Sequence, residues 1–171
     1  MLTIGKLERS EAALAAAVTF MAARQPFRDL PFGAMVSSLS GAVRRGHYVM
    51  AVDAGRVVGF TFWALTSADV ARRWTEEAYE PTYEEALGGD TVVLTMGGGE
   101  HPTVALQGVR HIARLYPGRP YRMVRFGRSG TRVGRFPGPG LSSGEGRPAA
   151  QDGALLNPGL AEVASTGPKA D

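Results

Sequence analysis

The stretch Thr91-Val92-Val93-Leu94-Thr95-Met96-Gly97-Gly98-Gly99-Glu100-His101-Pro102-Thr103 changes character twice. Its first six residues are a β-branched, apolar run entered through Gly88-Gly89-Asp90, which predicts a short buried strand over Thr91–Met96. Three glycines follow and predict a loop as far as Pro102. Thr103 to Tyr116 then places Val104, Gly108, His111, Ile112 and Leu115 at helical period, and Pro117-Gly118 ends the helix. Tyr121–Phe126 reads as a strand, with one more over Thr131–Phe136. Strand, glycine loop, helix and strand make a β-loop-α-β unit.

The upstream sequence supplies the partners for that unit. Ser10, as N-cap, opens a helix running to Ala23, with Leu7, Leu14, Val18 and Met21 on one apolar face. Pro26 and Pro31 bracket an irregular loop, and a second helix is expected over Phe32–Arg45, buried through Met35, Leu39 and Val43 and stopped by Gly46. His47–Val52 and Val57–Leu65 flank the turn Asp53-Ala54-Gly55 and predict a hairpin. An acidic helix is expected over Ala68–Tyr79, broken by Pro81. The order predicts an α/β domain over 1–137, with a mostly antiparallel central sheet flanked by helices. From 138 to 171 Gly, Pro, Ser and Ala dominate, and the expectation is a disordered tail.

The chain of 171 residues, 44% hydrophobic and 20% charged, has the composition of a soluble globular domain. It has no cysteine, which excludes a disulfide framework, a thiolate metal site and a cysteine nucleophile. No secretory signal opens the sequence, and Ala12–Ala23 is too short to span a membrane, so a cytoplasmic location is expected. The net charge is +3, but His101 to Gly144 holds no acid while Arg110, Arg114, Arg119, Arg122, Arg125, Arg128, Arg132 and Arg135 accumulate. Such a field suits an acidic partner or anionic ligand; a coding bias toward Arg explains its use over Lys but not the missing acids.

The glycine run before a helix could aim backbone N–H groups of Met96, Gly97, Gly98 and Gly99, with Thr103 at the helix start, at the phosphate of a phosphopantetheine arm or a nucleotide, or be only a connection. His101, beside Glu100, is a candidate general base for an amine, or a surface residue at a helix start. Arg28 and Asp29, in the double-proline loop, could position a substrate or form a solvated turn pair. His47 and His111 read as structural; the three histidines are too scattered for a metal site. Trp63 and Trp74 read as core.

Several segments, taken in order, resemble one family. Gln25-Pro26-Phe27-Arg28 with Pro31, then His47-Tyr48-Val49-Met50, then Val57-Val58-Gly59-Phe60-Thr61-Phe62-Trp63-Ala64-Leu65-Thr66-Ser67 are similar to segments of the toxin-activating lysine acyltransferases, the RTX toxin C-protein family typified by the hemolysin activator. Gly89-Asp90, Ala105-Leu106 through Tyr116-Pro117, Arg122 to Arg125, and Val133-Gly134 continue the likeness, which covers about residues 20 to 136. The resemblance implies a GNAT-like acyltransferase fold and an N-acyltransferase that takes a fatty acyl group from an acidic acyl-carrier protein or from acyl-CoA as co-substrate, with no tightly bound cofactor. The acceptor would be a lysine or ornithine amine on a protein toxin or a ribosomal precursor peptide; neither nucleic acid nor a membrane is implied, and a homodimer is left open.

The likeness has two departures. The early loop carries no histidine and the strand Thr91–Met96 no aspartate, so the family's catalytic pair does not carry over. On this reading His101 could serve as base, and Thr95 with backbone amides from Met96 to Gly98 could stabilise the thioester oxyanion. The alternatives are a small-amine N-acyltransferase using acyl-CoA and a catalytically inactive module that binds an acyl carrier or peptide.

Overall fold

Helix α2 (Phe32–Arg45) shows how local sequence sets this architecture. Met35, Leu39, Ala42 and Val43 recur on one side and are buried, whereas Gly46 closes the helix in the left-handed conformation (φ 69°) and donates its N–H to Ala42 and Val43. A computed structural model of the chain describes residues 1–7, 10–127, 130–136 and 154–155. In chain order they form β1 (Thr3–Gly5), α1 (Ser10–Ala22), a 3-10 turn (Phe27–Asp29), α2, β2 (Tyr48–Asp53), β3 (Arg56–Thr66), α3 (Ala68–Glu77), β4 (Thr91–Gly99), α4 (Pro102–Leu115), β5 (Tyr121–Gly127), β6 (Gly130–Phe136) and β7 (Ala154–Leu155).

The strands make one mixed sheet in the order β1-β2-β3-β4-β7-β5-β6. Every pairing is antiparallel except that of β4 with β5, whose crossover is α4. Along β3, Phe60 and Phe62 turn toward α1 and α2, while Trp63 and Leu65 turn toward α4. Trp74 of α3 covers Val93 and Val124. The chain is thus α/β, with helices on both faces of the sheet, and both tryptophans are 1% exposed.

Most of the expected elements are present, and four depart from expectation. The glycine run is the end of β4, not a loop: Gly97, Gly98 and Gly99 pair with Thr61, Phe60 and Gly59 of β3. Strand β1, too short for a hydrophobic period, gains its stability by pairing with β2. Leu115 is 49% exposed, because α4 ends there and only Gly108 and Ile112 of its expected face are fully buried. Ala154 and Leu155 form β7, whereas the rest of the 138–171 tail lies outside the described residues, as does the side chain of Ser10 with its expected capping role. Ser67 caps α3, its Oγ accepting the Val70 N–H at 3.2 Å.

Gly89 shows what the entry to β4 requires. A Cβ there would lie 2.2–2.6 Å from the backbone of Thr66, and Arg119 donates to the Gly89 carbonyl. At Gly88 a Cβ would meet nothing within 4 Å. We expect Gly89→Ala to lower stability by about 3 kcal/mol or more, since backbone must move, and Gly88→Ala to change it by under about 0.5 kcal/mol, as urea melts of the two variants would register.

Candidate functional site

Strand β4 organises the site because it changes partners along its length. Val92, Val93 and Leu94 pair with Tyr121, Arg122 and Met123 of β5, and beyond Leu94 the two strands part. On its other edge β4 stays with β3, but Phe62 faces Met96 while Trp63 faces Leu94, so Thr95 is the extra residue of a β-bulge. The side chains record the insertion. Val92 and Leu94 pack with Ile112 on the α4 face, whereas Met96 packs with Phe62 and Met35 on the opposite face. In an unbroken strand Leu94 and Met96 would share a side.

Thr95, partly buried, reaches a groove of about 550 Å³ between α2, α3 and the segment 80–86. Ser37, Ser38 and Gly41 form one wall, Tyr83 another, and the guanidinium groups of Arg44 and Arg45 lie 5.1 and 5.4 Å from the Tyr83 ring centroid. Burial pulls the Arg45 guanidinium below its usual pKa, opposed by Tyr83 and Glu80. The sequence reading missed these residues. Their one visible signal was Ser37-Ser38-Leu39-Ser40-Gly41, a run of small hydroxyls on a helix face turned away from the core.

The residues singled out from sequence do not all converge. About 13 Å of extended chain separates Thr95 from Gly99, and His101 lies beyond it, exposed, as the N-cap of α4 without a side-chain capping bond. Thr95 and His101 therefore do not meet at one reacting atom. Thr103 is exposed in the first turn of α4. Met96 is 1% exposed, so its side chain belongs to the core. A Cβ on Gly98 would lie 3.1 Å from the Phe27 ring, and one on Gly99 2.9 Å from Val104 Cβ. These two glycines let the strand end fit between the 3-10 turn and α4. Arg28 and Asp29 sit on that turn as an exposed ion pair of 3.5 Å, the solvated-pair arrangement. Glu100 is held by hydrogen bonds from Arg56 and from Arg24 (2.7 Å), and the Arg56 guanidinium keeps its carboxyl below the usual range.

No protein-family model matches the chain, and no curated protein is significantly similar to it. Among the described residues no group of His, Asp and Glu could hold a metal ion, and no helix is long and apolar enough to cross a membrane. The basic stretch is partly committed to the fold: Arg122 donates to Glu76 at 3.4 Å and Arg119 to Gly89, while Arg110 and Arg114 are exposed on α4. The side chains of Arg125, Arg128, Arg132 and Arg135 lie outside the described ones.

His47 is the group most displaced from its ordinary pKa. It is 8% exposed, stacks on Trp63 with centroids 5.8 Å apart, and its Nδ1 is buried with no partner among the described residues. Burial first, then Arg45 and Lys6, push its pKa down to about 4. The folded state therefore holds His47 neutral where the unfolded chain would protonate it. This contribution to stability is complete above about pH 6.5 and is lost as pH falls toward 4. A His47→Phe chain keeps the stack and loses this term. We expect its stability relative to the native chain to rise by on the order of 2–3 kcal/mol between pH 7 and pH 4, read from paired denaturation curves.

Proposed function

We propose that the chain is an N-acyltransferase of GNAT-like fold. It moves a fatty acyl group from the phosphopantetheine thioester of an acyl-carrier protein, or from acyl-CoA, to a lysine or ornithine side-chain amine on a protein toxin or ribosomal peptide. The observation that carries this reading is the bulge at Thr95, placed where β4 and β5 part. A bulge residue is left out of the regular alternation of its ladder, and on this reading a main-chain N–H there receives the oxygen of a reacting thioester. The same residue faces the groove, which gives an amine a second approach to that point.

In the reaction the amine nitrogen attacks the thioester carbonyl carbon. A C–N bond forms, the oxygen gathers negative charge, and donors near Thr95 and Met96 stabilise it. The C–S bond then breaks, the sulfur leaves as thiolate, and the proton shed by nitrogen restores the thiol. Holding both reactants in line supplies much of the acceleration. The amine must enter neutral, at a cost of about 1.36 kcal/mol for each pH unit below its pKa. Arg44 and Arg45 favour the neutral form, since like charge lowers an ammonium's pKa. This supports a reading in which neither His101 nor the family's missing histidine and aspartate is needed beside the thioester. Arg110 and Arg114, exposed on α4, suit an acidic carrier protein.

The mixed polar and apolar lining and the volume of about 550 Å³ also suit a small amine acceptor, the second reading. Intact mass spectrometry with acyl-carrier thioesters or acyl-CoA, against lysine-bearing peptides and small amines, separates the two. A gain of one acyl mass on a peptide is the expected result; binding of carrier with no transfer to any amine would leave only a docking module. Ser38→Trp, which adds bulk to the groove from the α2 wall, should lower transfer about tenfold or more, a barrier of about 1.4 kcal/mol, with an unchanged melting temperature.

A further inference from the structure

The parting of β4 and β5 leaves a gap inside the sheet, and the chain fills it with its own distal segment. Past Leu94 and Met123, β4 is paired on its outer edge with β3, and β5 on its outer edge with β6. Their inner edges face each other too far apart to pair directly. Into that opening comes β7, whose Leu155 is opposite both Gly97 of β4 and Arg125 of β5, and whose Ala154 is opposite Phe126. The two residues run antiparallel to both neighbours.

We infer that Ala154–Leu155 is a resident, displaceable occupant of the site that receives the acyl donor, so that the chain restrains itself until a donor arm takes its place. This rests on the acyl-donor reading of the β4 bulge. Three observations carry it. The segment meets β4 at Gly97, two residues from Thr95, so an extended ligand that reaches the bulge through this opening has to displace it from the strand edge. The phosphopantetheine arm is a narrow chain with two amides, able to exchange hydrogen bonds with strand edges much as a peptide does. And the occupant is short: a two-residue strand offers few hydrogen bonds, each worth about 1 kcal/mol net. A strand needed for folding would be longer, whereas one meant to leave can be this brief.

The magnitude follows from the tether. A segment on the same chain acts at an effective concentration in the millimolar range. Combined with weak pairing, this makes it a modest competitor that raises the apparent Kd for a donor by about 3- to 10-fold.

The test keeps the full chain and removes one main-chain donor. Leu155→Pro abolishes the N–H at the residue facing both strands. Coenzyme A serves as the probe, with binding followed by calorimetry and backbone amides by hydrogen exchange. The expected result is that Leu155→Pro binds coenzyme A about 3- to 10-fold more tightly, and that coenzyme A speeds exchange at Leu155 in the native chain. Equal affinity in the two chains, or a lowered melting temperature with no gain in affinity, overturns the competition and leaves the donor reading in place. Coenzyme A binding to neither chain, repeated with holo acyl-carrier protein, removes the donor reading and the competition with it.

Discussion

A strand that changes neighbours along one edge must open a gap where it does so, and in this chain β4 leaves β5 after Leu94 and meets β7 at Gly97. Much of the molecule follows from that. The parallel pairing of Val92–Leu94 with β5 fixes α4 as the crossover on one face. The extra residue at Thr95 turns Met96 to the other face, into the core shared by α1 and α2. One inserted residue thus joins the two halves of the hydrophobic core, opens the sheet, and sets a polar side chain at the head of a groove.

The elements legible in the sequence were those whose hydrophobic period runs uninterrupted. Helix α2 was readable to its last residue because Met35, Leu39 and Val43 keep the period and Gly46 ends it. The β2–β3 hairpin was readable because Ala54 and Gly55 sit between two apolar strands and both take positive φ. What was not legible depends on contacts remote in sequence. A three-residue edge strand has no pattern of its own, and a bulge is one residue among apolar neighbours. Gly97–Gly99 have the composition of a loop and become strand because β3 pairs all three and β7 meets Gly97 on the other edge.

The candidate site divides the same way. Thr95 was identified for its oxygen, yet its position rests on backbone geometry more than on its side chain. The groove wall escaped notice because it is assembled from α2, α3 and the segment after them, with no local motif. His101 was visible as a histidine after glycines, but it stands at the start of α4, past the end of the strand that carries Thr95. The arginines read as a field for an acidic partner serve two purposes. Arg119 and Arg122 are tied to neighbouring elements, and Arg110 and Arg114 remain exposed.

Glu100 stands at the far end of β4 with Arg24 and Arg56 both bonded to its carboxylate. One side chain thereby moors the strand's tip to the segment behind α1 and to the beginning of β3. Were it to lose its charge, the two guanidinium groups it holds together would face each other with nothing between them, and repulsion would compound the lost attachment.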